Sequence, residues 1–345
     1  MQYTPKLTHS QYLKYLWIGI CLIFSGKSFS QFTPSSIEQL GNFLDDFALY
    51  SQKYITPATD AAVYQASSGW VNSPKKRQLF DVTIGLHSNF FFVPKSDRDF
   101  KISNTDFKFF TIENATSTTV PTAIGQTSQV TLVGAIDDNS IRVKTPDGIN
   151  QSMVFYPYLQ GEIALWSGFE VVGKYSTKVK LKTGDYQVYG FGVKHSISQY
   201  LPSLDQNNIY LSVLFGYSNE KIGFNFFDVN SSMGNLGIDR ISGNVNTGQF
   251  QLSASKSWKN FELMFSSITN VSDFSYHLSG GTGSLDAFIP VKQILNEKLK
   301  EIYTTKINSI GEISGRYQFN KIYVQTLFAF GKFANANVSV QYEFK

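Results

Sequence analysis

Long stretches of alternating apolar and polar residues are the feature that most constrains how this chain can fold. In FEVVGKYSTKVKLK, residues 169–182, apolar or small residues occupy the odd positions, and glutamate, serine and lysine occupy nearly all the even ones. Strands in soluble proteins usually contain about five or six residues, whereas a tilted strand that crosses an outer membrane needs roughly 9–11. Stretches of this length therefore predict an all-β fold, a transmembrane antiparallel β-barrel.

The sequence predicts about fourteen barrel strands, within a range of roughly 12 to 16, because barrels of this class usually have even strand numbers. Short turns are expected at the periplasmic end near Ser167, Asn270 and Asn320. The last stretch, NVSVQYEFK, is expected to pair with the first strand and so to close the sheet. The predicted strands lie near 80–92, 98–112, 128–136, 152–165, 168–182, 186–199, 208–218, 221–229, 243–257, 260–269, 271–279, 307–319, 321–331 and 335–344.

The composition agrees with a barrel and argues against nucleic-acid binding. Aromatic residues make up 15% of the 345 residues and charged residues only 16%, against roughly 25% charged residues in ordinary soluble domains. The formal net charge of +4 falls to about +1 without the first 30 residues, since 27 of the 30 basic residues then remain against 26 acidic ones. A nucleic-acid site needs a concentrated basic face, so we expect no nucleic-acid partner.

Residues 1–30 have the organisation of a secretory signal peptide. Lysines precede the apolar run LWIGICLIF, residues 16–24, and small residues precede a cleavage site between Ser30 and Gln31. The apolar run is too short to span a bilayer, which needs about 20 residues. The single cysteine, Cys21, lies inside this run, so we expect no internal disulfide. A secreted chain with membrane-crossing strands is expected in the outer membrane of a Gram-negative bacterium, in contact with outer-membrane lipid.

Two segments depart from the period of two. A capping-box candidate begins at Ser35, and apolar residues at helical spacing follow it, which predicts a helix over 36–50. Residues 54–74 are rich in alanine and serine and show no strong period. A second amphipathic helix, PVKQILNEKLKEIY from 290 to 303, lies in a long connection, 280–306, that we expect at the extracellular end. It either leans on the barrel rim or packs on its own loop, and this loop offers a site for a protein partner.

Two stretches resemble a known family. They are YITPATDAAVYQASSGW…FDVTIGLHSNFFFVP, residues 54–94, and PYLQGEIALWSGFEVVGKY, residues 157–175. Together they resemble a family of outer-membrane barrels from Bacteroidetes, which is itself similar to the long-chain fatty-acid transporter (FadL) type, a barrel with an N-terminal plug. The resemblance implies that residues 31–78 form a plug-like segment and residues 79–345 the barrel. The Asn-Pro-Ala stretch of the transporter plug is missing, and Thr-Pro-Ala at 56–58 stands in its place.

No residue pattern in the sequence indicates an enzyme, a metal site or a cofactor. The three histidines that follow the signal peptide, His87, His195 and His277, lie in different predicted strands, without a second histidine or cysteine at metal-ligand spacing. The turn DVNSSMG, residues 228–234, has oxygen-bearing residues at alternate positions, but its glycine is one position too late for an EF-hand loop. The sequence contains no G-x-S-x-G, Walker A or zinc-protease motif. We therefore expect no catalytic residues, no bound metal and no cofactor.

Two functions fit a barrel without a reactive site. The first is a passive channel or transporter for a small, and by resemblance hydrophobic, solute; a barrel of about fourteen strands is too wide for its own side chains to fill, so it needs a plug. The second is a structural or accessory barrel of a larger outer-membrane complex, without a transport role. The length of the strands argues against a soluble secreted β-sandwich. Candidate lumen or ligand residues, chosen because their positions oppose the apolar faces, are Trp70, Tyr156, Tyr158, Glu162 and Glu170.

Overall fold

The computed structural model describes residues 34–137, 139–227, 230–231, 234–235, 237–283 and 290–344. The predicted signal peptide and its cleavage site at Ser30 and Gln31 lie outside the described residues. In chain order, the described helices and strands are α1 Pro34–Ser67, β1 Val82–Phe92, β2 Asp99–Ser103, β3 Thr111–Ile112, β4 Ser117–Pro121, β5 Thr131–Ile136, β6 Asn139–Lys144, β7 Met153–Ala164, β8 Phe169–Tyr175, β9 Val179–Lys180, β10 Gly184–Ser196, α2 Pro202–Gln206, β11 Ile209–Asn225, β12 Asn230–Ser231, β13 Gly234–Asn235, β14 Arg240–Trp258, β15 Phe261–Ser279, α3 Val291–Lys300, β16 Thr304–Phe319, β17 Ile322–Phe330 and β18 Ala334–Phe344.

Ten long strands close into an antiparallel β-barrel. Around the barrel they follow the order β1, β7, β8, β10, β11, β14, β15, β16, β17 and β18, and β18 pairs again with β1. Ile84 of β1, for example, lies opposite Tyr342 of β18 on one side and Gly161 of β7 on the other. The short strand β9 also pairs with β10. Each of the ten strands is therefore paired on both sides, which removes the exposed edges of an open sheet.

The prediction of about fourteen barrel strands is wrong, because the barrel has ten. The predicted strand 208–218 and the first part of the predicted strand 221–229 form one strand, β11, which ends at Asn225; residues 228 and 229 lie outside the described residues. The predicted strands 260–269 and 271–279 form another single strand, β15. Both strands continue past the length that crosses a bilayer, so membrane thickness does not indicate where they end. The predicted strands 98–112 and 128–136 lie in the connection between β1 and β7, which contributes to two small separate sheets.

The two ends of the barrel differ in the length of their connections. At the short-turn end, the strands are joined around Ser167, at 197–208, at 259–260 and around Asn320. The predicted turns at Ser167 and Asn320 are thus found at one end, whereas Asn270 lies inside β15 and the turn predicted there is wrong. At the other, long-connection end the strands are joined by residues 93–152, 176–183, 226–239, 280–303 and 331–333.

Apolar side chains cover the outside of the barrel in a continuous band. On β15 the outward residues are apolar or small hydroxyl residues from Phe261 to Val271, and they become polar from Asp273 onward. A stretch of this length matches the roughly 9–11 residues, and the band about 25 Å tall, that a barrel needs in a membrane. Exposed aromatic rings, a type enriched at membrane interfaces, lie at the short-turn edge of the band: Trp166, Tyr200, Trp258, Phe261 and Tyr317.

Helix α1 enters the barrel from the long-connection end. In its first half, the ring of Phe47 packs 5.0 Å from the ring of Phe227, in the connection after β11. Its last residue, Ser67, accepts a hydrogen bond of 3.0 Å from the side chain of Asn270, on the inner face of β15. The helix axis therefore runs from the outer connections into the barrel interior.

The predicted helix over 36–50 is present but is only the first half of α1, which continues to Ser67. The residues from 54 to 67 show no apolar stripe because barrel wall and connections surround the helix, and nearly all of its side chains there are buried. A helix that is buried on all sides does not need an amphipathic pattern. None of the helices in the described part of the chain has both the length and the apolar composition of a membrane-spanning helix.

The amphipathic helix predicted in the connection 280–306 is found as α3. Its apolar residues Val291, Leu295 and Leu299 are buried. Asn296 accepts the backbone N–H of Leu278 at 2.8 Å and donates to the carbonyl of the same residue at 3.0 Å. Of the two alternatives, the structure therefore places this helix against the extended barrel strand β15. A protein partner at this loop stays a prediction, and it would have to use the polar face of the helix.

Candidate functional site in the barrel lumen

The inner wall of the barrel is polar and buried. Inward positions of the strands carry amide, hydroxyl and charged side chains, whereas outward positions carry mostly apolar ones. Buried charges are tolerated only when they are paired or hydrogen-bonded, so their partners define the site. The wall residues with buried charged groups are Glu162, Glu170, Lys174, Lys194, Glu220, Glu262, Glu312 and Glu343.

Many partners of these groups lie on one stretch of chain, residues 67–77, which we call the lumen segment. It begins where α1 ends, contains no helix or strand after Ser67, and reaches the short-turn end before β1 begins. Gly69 has a φ of +72°, a left-handed conformation that favours glycine. A Cβ atom at this position would also lie 2.7 Å from the hydroxyl oxygen of Tyr158. The chain can therefore turn from the helix into the lumen most easily with glycine here.

Lys174 holds the start of the lumen segment. Its Nζ donates to the backbone carbonyl of Ser68 at 2.6 Å and to that of Ala66 at 3.1 Å. The same atom lies 4.7 Å from the ring centres of both Trp70 and Tyr158. The two carbonyls and two rings thus replace the hydration that this buried ammonium group loses.

Carboxylate and amide groups bind the same turn from other strands. Glu312 accepts the backbone N–H of Gly69 at 2.7 Å, and its second oxygen accepts from the Gln251 amide at 3.3 Å. Ser68 Oγ donates to Asn335 Oδ1 at 3.2 Å. Strands β8, β14, β16 and β18 therefore all contribute to the site that holds this turn.

A layer of amide side chains surrounds Asn72. Its Nδ2 donates to Glu162 Oε1 at 2.7 Å, and its Oδ1 accepts from Gln341 Nε2 at 3.0 Å. Gln160 Nε2 donates to the backbone carbonyl of Trp70 at 3.1 Å. Because an amide group both donates and accepts, these wall residues can satisfy either kind of polar group on the lumen segment.

The next two residues of the lumen segment are bound in the same way. Lys194 Nζ donates to the carbonyl of Ser73 at 2.6 Å, and Ser73 Oγ donates to Glu262 Oε1 at 2.8 Å. Ser196 Oγ donates to the carbonyl of Pro74 at 2.7 Å. The irregular backbone inside the lumen is therefore bonded to the wall almost residue by residue.

A charged cluster completes the site at the short-turn end. Arg77 forms ion pairs with Glu162 and Glu170 and a hydrogen bond with Thr83. Lys194 pairs with the other oxygen of Glu170 at 2.9 Å. The positive charges of Arg77 and Lys194 thus balance the two carboxylates, and the guanidinium group of Arg77 contacts both carboxylates.

The five predicted lumen or ligand residues all lie in this region. Each is buried, and they contact α1, the lumen segment or their wall neighbours; the Tyr156 hydroxyl, for example, donates to the carbonyl of Gln65 at 2.8 Å. A role in binding a separate ligand stays a prediction. The residues are Trp70 on the lumen segment, Tyr156, Tyr158 and Glu162 on β7, and Glu170 on β8.

Sequence reasoning missed Lys174, Lys194, Glu312 and Arg77. Lys174 lies on the same strand face as Glu170, so the alternation did contain the signal that it points inward. Arg77 carried no such signal, because its contacts depend on the path of the lumen segment rather than on strand periodicity. Within the described ranges, no group of three or more histidine, cysteine, aspartate or glutamate side chains is placed to hold a metal ion.

The sequence matches one family model over residues 9–344. The chain belongs to this family, a family of unknown function (DUF6588). Among curated proteins, no sequence match was found.

Solved structures similar to this DUF6588 protein include several outer-membrane barrels. The translocator domain of the autotransporter NalP from Neisseria meningitidis aligns with a TM-score of 0.35 and 8% identity, over 85% of this chain and 99% of that chain. The outer membrane protease OmpT from Escherichia coli aligns with a TM-score of 0.28 and 10% identity, over 81% and 100%. Ail, the attachment invasion locus protein of Yersinia pestis, gives 0.22 and 7%, over 77% and 100%.

Proposed function

We propose that this DUF6588 protein is an outer-membrane β-barrel of a Gram-negative bacterium, closed by its own lumen segment, that serves as a structural barrel. The barrel holds an outward-facing cap, which consists of the long connections, α3 and the first half of α1. One observation carries this proposal: the wall bonds the lumen segment along its whole length, from Ser68 to Arg77. The apolar outer band supports the membrane location, and long connections of such barrels face outward.

The strength of this bonding argues against an open pore. On the order of ten hydrogen bonds and ion pairs join the lumen segment to the wall, and each contributes about 1 kcal/mol net, or more where a charged group takes part. Release of the segment would break these contacts together, and the conformational entropy that the released residues regain would offset part of the loss. We therefore expect the closed state to dominate at equilibrium.

A gated channel is the second candidate, and the polar wall favours it. If a trigger removed the lumen segment, Glu162, Glu170, Lys174 and Lys194 would line a water-filled pore. Such a wall suits a polar solute better than the hydrophobic solute that the resemblance to the fatty-acid transporter type implies. The placement of the N-terminal segment in the lumen agrees with the plug that the resemblance implies, whereas a barrel of ten strands departs from the fourteen strands of the fatty-acid transporter type. The Bacteroidetes origin that the resemblance implies stays a prediction.

Single-channel recording in planar lipid bilayers tests the closure. We expect the wild-type protein to be silent, because the lumen is filled. Deletion of residues 34–77 should give a steady conductance, provided that the barrel still folds, as judged by its heat-dependent mobility on SDS gels. Gln52→Ala, an exposed position of α1 outside the barrel wall contacts, is the control and should be as silent as wild type.

The possible recordings separate the two candidates. Brief, reversible openings of the wild-type protein that lengthen in the double variant Asn72→Ala/Arg77→Ala would favour the gated channel. A steady wild-type conductance would refute closure by the lumen segment. A folded deletion variant without conductance would show that other residues close the pore.

A further inference from the structure

A cavity of about 290 Å³ lies at the short-turn end, between the lumen segment and the ends of β15 to β18. Strand residues on its wall include Glu262, Arg316, Tyr323 and Glu343, and the exposed Lys259 lies among its lining residues. The closure of the lumen uses Arg77 and the amide layer, but it makes little use of Arg316.

Arg316 has hydrogen-bond donors without partners. An arginine side chain carries five N–H donors, and within the described part of the chain Arg316 makes one hydrogen bond, from Nε to Gln341 Oε1 at 3.2 Å. The carboxylate of Glu262 is 3.9 Å from Nη1, which is beyond hydrogen-bond distance. The guanidinium lies over Tyr323, with its central carbon 3.6 Å from the ring centre. Stacking fixes the plane of the guanidinium, and its outer nitrogens remain available at the cavity.

The acidic residues beside Arg316 have other donors. Glu262 Oε1 accepts from Ser73 at 2.8 Å and from Ser255 at 2.6 Å. Glu343 accepts from the Tyr323 hydroxyl at 2.5 Å. Each of these carboxylates therefore has a hydroxyl donor, and among the described residues neither of them accepts a hydrogen bond from Arg316.

We propose that this cavity binds a small carboxylate anion through the fork of Arg316. A guanidinium presents two parallel N–H groups that match the two oxygens of a carboxylate. Lys76 and Lys259 line the cavity, are exposed, and form no ion pair among the described residues, so they add positive potential. The volume is at the lower end of ligand pockets, which suits a short dicarboxylate. The opening of the cavity toward the periplasm rests on the proposed function, because that function sets the orientation of the barrel in the membrane. The anion site itself does not depend on it.

Isothermal titration calorimetry of the full chain, folded in detergent, tests the site with glutarate as the probe. Glutaramide, which has a similar shape without the charges, is the ligand control. We expect glutarate to bind and glutaramide to give no heat. Arg316→Gln should weaken glutarate binding at least tenfold, and Arg316→Lys, which keeps the charge but loses the fork, should weaken it several-fold. Lys321→Gln, an exposed lysine outside the cavity lining, should bind as wild type does.

Absence of glutarate binding to the wild type, or equal affinity of the wild type and both Arg316 variants, would overturn the proposal. Heat-dependent mobility on SDS gels shows whether each variant folds; if Arg316→Gln does not fold, the affinity of Arg316→Lys decides. A conducting wild-type barrel would refute the proposed closure but would leave the calorimetric result unchanged, so the two failures are distinguishable.

Discussion

Replacing Arg77 with alanine is the sharpest test of how the lumen segment is held. The substitution removes the cation that pairs with Glu162 and Glu170, which are only 3% and 1% exposed in their side chains. Removing one partner of a buried ion pair typically costs 3–5 kcal/mol, because a buried charge is left without compensation. Glu170 keeps Lys194 at 2.9 Å, so we expect the lower end, a loss of about 3 kcal/mol in the free energy of unfolding.

Urea unfolding of the barrel in detergent micelles measures this loss. Tryptophan fluorescence should report the unfolding, because Trp70 is fully buried beside the site and Trp166 and Trp258 lie at the edge of the detergent-covered apolar band. Arg77→Lys is the matched control: it keeps the charge but loses the fork, and we expect a loss of about 1 kcal/mol. A loss below about 1 kcal/mol for Arg77→Ala would refute the view that this cluster anchors the segment.

Three further predictions concern the helix, the turn and the orientation. Gly69→Ala should destabilise the folded barrel by about 1–2 kcal/mol in the same unfolding assay, because alanine is strained at positive φ; an unchanged midpoint would contradict the assigned turn. Ser35→Cys, exposed near the long-connection end, should react with a membrane-impermeant maleimide on intact cells, and labelling only after lysis would reverse the orientation. A hydrogen bond from Lys298, opposed by partial burial, lowers the pKa of Asp45. The ionised Asp45 carboxylate therefore stabilises the fold at pH values above its unfolded pKa of about 3.9. This stabilisation is lost as the pH falls through the lower pKa of the folded state. Since Asp45 is 39% exposed, the stability difference from Asp45→Asn should be below about 0.5 kcal/mol and should vanish in acid.

Strand alternation allowed the class of fold to be predicted because it records two environments directly. On β7, Phe155 and Leu159 face outward and are about half exposed, whereas Tyr156 and Tyr158 face inward and are buried. Alternate positions along a strand therefore indicate the apolar surroundings of the barrel, and the positions between them indicate its polar interior. By the same logic the predicted lumen residues of β7 and β8 point inward, whereas Trp70 lies on the lumen segment, and a ligand-binding role for these residues stays a prediction.

The strand number and the lumen contacts needed information that local patterns do not contain. Within β15 the sequence predicted a turn near Asn270, close to the end of the apolar band at Val271, although the pairing with β14 and β16 continues through Asn270. The contact between Ser68 and Asn335 joins residues 267 positions apart. Neither residue alone indicates the other, because hydroxyl and amide groups have many alternative partners.

The composition of the wall also bears on whether closure is the purpose of the lumen segment. A chain without helix or strand exposes an N–H and a carbonyl at nearly every residue, and each needs a partner when buried. The wall supplies these partners with groups at matching heights, from Lys174 at Ser68 through Gln160 at Trp70 to Lys194 at Ser73. In a water-filled pore, water would form hydrogen bonds with the polar side chains of the wall. Those side chains would then not need to lie opposite backbone groups of a lumen segment. The match between buried backbone groups and wall side chains therefore favours a barrel built to stay closed.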